Sequence, residues 1–412
     1  MMRTRLRAER MLLPVLGMLA GSYAAAAGQE VNALVRIDHF GAARDRLARE
    51  GGTGMTADLQ LMLSGADDVT GQALLRLEQP RIDASGAQAS AVEAFALWRA
   101  QQFDVKLGKQ IVAWGRADGV NPTDNLTPRN FRVQSPYEKD QREGVTSLLV
   151  NYFPNGQGNL SFFLSPAFLP TRLPLPHVDA FTVVDRRPHR GRWPVGLKFD
   201  QRGDKLDWSL SYFRGYQLLP EWQAGSDMGS VILNYPKIAV VGADAAVNFG
   251  RYGWRAELAR KLREDPVLAG GARSNWTLVT GVDRNFDRDL NVNAQLIVQK
   301  NGDIGDLAAI LDGQQRAVAA VNAISFHQER PHDVGATMRI GKKWMNGTLE
   351  AELLAVGYFH PRTDYWRPLL VYALRDDVRV TVGGELFLGG AHTYFGSNRP
   401  LGGMFAELRY FY

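Results

Sequence analysis

The sequence predicts an all-β protein: a single transmembrane antiparallel β-barrel of about eighteen strands, with sixteen as the alternative. Three observations carry this. An alternating strand runs to the last residue, the N-terminus is patterned for export, and the connectors alternate between short and long.

The C-terminal strand sets Met404, Ala406, Leu408, Tyr410 and Tyr412 on one face and Phe405, Glu407, Arg409 and Phe411 on the other. A period of two with one apolar and one mixed face is a half-buried strand. At the other end, Arg3, Arg5, Arg7 and Arg10 form a basic region. A short apolar core, Met11 to Ala20, precedes small residues through Ala27, so residues 1–27 read as a secretory signal peptide cleaved after Ala25 or Ala27. The apolar core is too short, and too interrupted by Pro14, to anchor as a helix. The expected organisation is therefore 1–27 leader and 28–412 barrel, with no linker or low-complexity block between.

The leader also corrects the charge. It holds four Arg and one Glu, so only +2 of the chain's formal +5 belongs to the remainder. The high pI is then no argument for nucleic acid, and no basic run with interleaved aromatics occurs. The chain has no cysteine, which excludes a disulfide framework and thiolate metal sites. No stretch after the leader is long and apolar enough for a transmembrane helix, so a membrane-spanning form must be a closed barrel.

Alternating segments fall at about 31–39, 54–63, 71–79, 90–100, 103–114, 143–153, 159–168, 194–201, 205–215, 238–249, 252–262, 275–285, 289–300, 333–342, 347–359, 365–374, 377–388 and 403–412. Tight-turn sequences such as Pro154-Asn155-Gly156, Arg202-Gly203-Asp204 and Asn346-Gly347 join alternate pairs. Long connectors, among them 115–142, 169–193, 216–237 and 301–332, join the others; two, 80–89 and 360–364, are short for outer loops. Short periplasmic turns and long outer loops are the asymmetry of outer-membrane barrels, and an even strand count puts both termini on the periplasmic side. Trp98, Trp193, Trp208, Trp254, Trp276, Trp344, Tyr358, Phe359, Tyr365 and Trp366 cluster near strand ends, as interfacial girdles do.

The faces assign the lumen. Strand 289–300 puts Leu290, Val292, Ala294, Leu296 and Val298 toward lipid and Asn291, Asn293, Gln295 and Gln299 inward. The same parity sends Lys106, Gln110, Lys198, Asp207, Asp244 and Glu257 to the lumen. It also sends Arg339, Glu350, Glu352, Arg379, Glu385, Glu407 and Arg409 there.

One segment, residues 103–144, stands apart. A strand ends at Trp114-Gly115 and a long loop follows, dense in Asp, Asn, Arg and Pro. Thr127-Pro128 has the form of an N-cap and first helical residue. Such a loop packs inward or binds something. Arg116, Asp118, Asp124, Arg129 and Arg132 are accordingly expected at the constriction. Leu107, Gly108, Lys109, Gln110, Ile111, Val112, Trp114 and Gly115, then Asn121, Pro122 and Asp124, resemble a strand-and-turn pattern of the DUF1302 type of proteobacterial outer-membrane proteins. More distantly the pattern looks like alginate-export and other porin-like barrels. Lys109 stands where that pattern has Arg, and the stretch after Asp124 diverges from it. The resemblance covers about 40 residues and implies a porin-like outer-membrane protein without specifying its solute.

No cofactor and no metal site is expected. Asp118, Asn121, Asp124 and Asn125 offer oxygen ligands, but lack EF-hand spacing and are ordinary turn residues. The seven histidines are scattered. No G-x-S-x-G occurs, and nothing orients His392 near Ser397 or His327 near Ser325, so no enzyme is expected. The functional expectation is a passive channel for small or anionic solutes in the Gram-negative outer membrane. The alternatives are an exporter of anionic exopolysaccharide and a structural or adhesive barrel with a plugged lumen. The expected partners are outer-membrane lipid, the barrel-assembly machinery through the terminal strand, and a small-molecule or polysaccharide solute, with no nucleic acid.

Overall fold

In the computed structural model, residues 29–41, 51–65, 68–80, 86–173, 182–188, 191–225, 227, 229–268 and 271–412 are described. The expected leader, 1–27, lies outside them. Eighteen antiparallel strands form one sheet that closes on itself. In chain order they are β1 (Gln29–Phe40), β2 (Gly52–Ser64), β3 (Val69–Gln79), β4 (Gln88–Arg99), β5 (Phe103–Gln110), β6 (Val145–Tyr152) and β7 (Gly158–Leu164). There follow β9 (Val195–Gln201), β10 (Leu206–Tyr216), β13 (Lys237–Phe249), β14 (Tyr252–Arg263), β15 (Asn275–Phe286) and β16 (Leu290–Asn301). The last are β17 (His332–Trp344), β18 (Leu349–Phe359), β19 (Arg362–Arg375), β20 (Val378–Gly389) and β21 (Gly403–Phe411). The seam pairs β1 with β21 from Leu34↔Phe411 to Phe40↔Phe405. Closure leaves no edge and satisfies the backbone in lipid.

The turns follow from their residues. In the β6–β7 turn, Asn155 Oδ1 accepts from the backbone N–H groups of Gln157 (3.2 Å) and Gly158 (2.7 Å), and Gly156 takes φ +72°. The outward faces are apolar and exposed, as with Leu107, Leu210, Val241, Leu386 and Leu408. Asn293, Gln295, Gln299, Thr381, Glu407 and Arg409 are buried on the inner face. Of the aromatic set, Trp98, Trp193, Trp276, Trp344 and Phe359 are exposed, but Tyr358 and Tyr365 pack inside the barrel.

Two loop elements were not legible beforehand. β8 (Thr182–Arg186), β11 (Glu221–Ala224) and β12 (Ser230–Asn234) form a separate small sheet between two outer loops. A helix, Gly313–Ser325, occupies the 302–331 loop, with Asp312 accepting from Gln315 N–H as its N-cap. Asn322 on this helix exchanges two 2.8 Å hydrogen bonds with the Trp222 backbone and ties the two elements together.

Candidate functional site: the loop inside the barrel

β5 ends at Gln110, four residues before the sequence pattern suggested, because the chain there leaves the wall and turns into the lumen. Gly108 lies where β5 passes β4: an added Cβ would meet Ala94 O at 2.4 Å, and φ is +135°. Gly115, at φ +94°, makes the next turn. Asn121 donates to Trp114 O (2.8 Å) and closes that turn, and Asn125 donates to Pro122 O (2.9 Å). Thr127 does not cap a helix as expected; its hydroxyl donates to Val112 O (2.9 Å), and bends and turns follow in place of a helix. Val112, Trp114 and Leu126 pack with Val145, Leu149, Phe163, Phe213, Ile238 and Val240 of the inner wall. This apolar cluster fixes the first half of the loop against β6–β14.

Two charged docks complete its placement. The first is acidic. Asp244 and Glu257 stand directly opposite each other on β13 and β14. Arg116 donates to Asp244 through Nε (2.5 Å) and lies 3.5 Å from Asp207 and 3.8 Å from Asp200. Glu257 accepts four hydrogen bonds from the loop: Arg116 N–H (2.9 Å), Ala117 N–H (3.1 Å), Thr123 N–H (2.8 Å) and the Thr123 hydroxyl (2.8 Å). The second dock is basic. Asp140, in a short 3₁₀ turn (Glu138–Gln141), accepts from Arg409 Nη2 (2.5 Å), Arg36 Nη1 (3.1 Å) and the Ser135 hydroxyl (2.5 Å). Arg76 of β3 donates to the Asp140 carbonyl (2.8 Å). Burial opposes ionisation of Asp140, but Arg409, the Ser135 hydrogen bond and Arg36 outweigh it and hold the carboxyl below its ordinary value. Between the docks, Arg339 of β17 donates to both carboxylate oxygens of Asp118 (2.8 and 3.0 Å), and the Tyr137 hydroxyl meets Thr381 of β20 at 3.1 Å.

A cleft of about 290 Å³ remains between the loop and the opposite wall. Tyr137, Glu138 and Lys139 line its loop side, and Arg339, Glu350, Glu352, Arg367, Leu369 and Arg379 line the wall of β17–β20. Arg339 pairs with Glu352 (2.8 Å), and Arg367 lies 3.6 Å from the same carboxylate. Lys139 and Arg379 have no carboxylate partner among the described residues; Arg379 lies over the Phe411 ring at 5.4 Å.

Toward the outer mouth, the loop 390–402 also enters. Phe395 packs with Val279, Ile297, Leu354, Val356 and Tyr358 of the inner wall, and Ala117 and Val120 of the long loop join that cluster. Thr363 accepts from Phe395 N–H (2.9 Å) and Gly396 N–H (3.2 Å). His327 stacks between Tyr358 and Tyr394 at 4.0 and 3.7 Å.

The structure thus brings together Arg339, Glu350, Glu352 and Arg379 in the cleft, with Asp118 of the loop bound to Arg339, whereas Arg116 sits in the acidic dock on β13. Glu385 accepts from the Tyr365 hydroxyl, and Arg129 pairs with Glu138 at 3.4 Å. Four candidates lie elsewhere. Gln110 is buried and donates to Ser147 O, Asp124 is paired with Arg142 (2.7 Å), and exposed Arg132 donates to Leu173 O. Lys106 sits over the Phe95 ring at 4.9 Å. Sequence reasoning singled out neither Arg36 nor Arg367, although both share the parity of inward neighbours on their strands.

The fold and this inward loop define a class: a closed antiparallel barrel of the Gram-negative outer-membrane type. Among solved structures, the chain is similar to Pseudomonas aeruginosa OccK5 (OpdH), with a TM-score of 0.57 at 11% identity over 93% of this chain and 97% of that one. It is similar to P. aeruginosa OccK11 (OpdR), with a TM-score of 0.56 at 11% identity over 93% and 95%. Acinetobacter baumannii OccAB1 gives 0.53 at 9% identity over 95% and 98%. No protein-family model and no curated protein matches the chain.

Proposed function

We propose that this protein is a passive outer-membrane channel for small solutes, and that the loop between β5 and β6 is its constriction. The observation that carries the reading is the loop's position: one segment reaches β13 and β14 through Arg116 and β1 and β21 through Asp140, so it crosses the lumen. The likeness to Occ/Opd outer-membrane porins supports the same reading. Selectivity would then come from lumen charge and loop placement, with no covalent chemistry. The finer reading is a preference for anions, supported by Lys139 and Arg379, which line the cleft without a carboxylate partner among the described residues. The strand-and-turn likeness at 107–124 supports a place near the DUF1302-type barrels. Outer-membrane lipid would contact the exposed apolar faces, and the terminal strand would engage the assembly machinery. A plugged structural barrel is the second reading, favoured by the apolar clusters that join loop to wall on two sides.

Planar-bilayer recording tests this. The full-length protein should give discrete steps with an anion-leaning reversal potential. Deleting residues 117–140 should enlarge the steps and move that potential. Silence from both forms would favour the plugged barrel; steps unchanged by the deletion would place the constriction elsewhere.

A further inference from the structure

The second dock lies on the barrel's seam, where the first and last strands meet. Arg36 of β1 stands directly opposite Arg409 of β21, and Arg409 stands directly opposite Arg379 of β20. Three arginines therefore occupy one row across three adjacent strands. Like charges directly opposite destabilise strand pairing, and Arg36 and Arg409, at 2% and 4% exposure, are shielded from the water that would screen them.

The strands' own carboxylates do not fully answer this. Glu407 pairs closely with Arg409, but lies 3.5 Å from Arg36 Nε, and Asp38 lies 3.4 Å from the same atom. Arg36 Nε makes no hydrogen bond among the described residues. The nearest carboxylate to Arg36 is that of Asp140, which comes from the loop and also binds Arg409. The seam has seven register pairs, extended by backbone hydrogen bonds between Ala33 and Tyr412 and from Gly41 N–H to Met404 O, against twelve pairs between β1 and β2.

We propose that Asp140 couples the two events: the loop docks fully only on a closed seam, and the seam holds fully only with the loop docked. Barrel closure and formation of the constriction are then one cooperative step. A barrel whose loop has not gone in is a weaker barrel, and an unconstricted pore is selected against during assembly. The acidic dock at Asp244 and Glu257 mirrors this arrangement, with in-register carboxylates answered by Arg116. The opposite charges of the two docks also fix which end of the loop goes to which wall.

The test uses full-length protein and two readouts: the temperature at which the heat-modifiable folded band is lost on gels, and protease cleavage within 117–140. Asp140→Asn should lower that temperature and expose the loop together. Adding Arg36→Met to Asp140→Asn removes the arginine whose nearest carboxylate is Asp140 and leaves the Arg409–Glu407 pair intact. It should recover the temperature, while the loop stays cleavable. If Asp140→Asn does not assemble, assembly of the double variant supports the proposal and its failure overturns it. A loop that becomes cleavable with no change in the folded-band temperature would show that loop and seam are independent. Failure of Arg36→Met to recover the temperature would show that charge opposition is not the link.

Discussion

Replacing Glu257 by Gln tests how the loop is held. One carboxylate oxygen accepts from the Thr123 N–H and hydroxyl, and the other accepts from the Arg116 and Ala117 N–H groups. A glutamine keeps one acceptor oxygen and sets an NH₂ donor against the other pair of donors. Two hydrogen bonds to a charged acceptor are lost, at about 1.5–3 kcal/mol each. One effect works the other way, because Glu257 directly opposes Asp244 and removing its charge relieves that repulsion. Cross-strand pairs of this kind contribute only about 0.2–1 kcal/mol, so hydrogen-bond loss dominates. The net cost of about 2–5 kcal/mol shifts the docked-to-undocked ratio by roughly thirtyfold or more. Single-channel traces should change from a steady level to flicker between that level and a larger one, and cleavage near 117–123 should accelerate in parallel. Thr123→Val removes only the hydroxyl bond and should be intermediate. If Glu257→Gln keeps wild-type conductance, noise and protease resistance, these four bonds do not hold the loop.

Three further outcomes are expected. A cleavable tag in the 302–331 loop should be cut on intact cells and one at Asn346-Gly347 should be protected; the reverse would overturn the orientation. Because the Asp140 carboxyl is held below its ordinary value, its contribution is fully present above the unfolded pKa of about 3.9 and is lost as pH falls through the lower folded value. Protection of the loop's second end, around residues 135–141, should therefore persist at pH 5 (roughly one unit above the unfolded value) and fail only in stronger acid; its loss already near pH 5 would contradict this. Phe395→Ala should cost about 3–5 kcal/mol of packing at the outer mouth and raise conductance, whereas unchanged conductance would mean that the aromatic cluster lies off the solute path.

Much of the fold was legible because a barrel strand carries its own instruction. Lipid demands an apolar residue at every second position, so parity along β16 or β20 assigns both faces without tertiary information. The turn residues Asn155, Gly156, Asn346 and Gly347 mark short connections for equally local reasons. The loop elements gave no such signal. The helix Gly313–Ser325 is only weakly amphipathic, and β8, β11 and β12 are four or five residues long and join across two different loops.

The sequence by itself determined the barrel, a strand number of about eighteen with sixteen left open, the inward and outward parity of most strands, and the segment 103–144 as the distinctive loop. What only the tertiary structure decided is where that segment's charges go. Arg116 and Asp140 are ordinary loop residues in the sequence. They become docks because the β13–β14 hairpin sets Asp244 opposite Glu257 and closure of the sheet sets Arg36 opposite Arg409. The residues of the second pair are 373 positions apart and become neighbours only when the first strand meets the last. Strand parity is a local property, readable along the chain; register across the seam belongs to the closed ring, and that register sets together the two arginines that the loop's Asp140 binds.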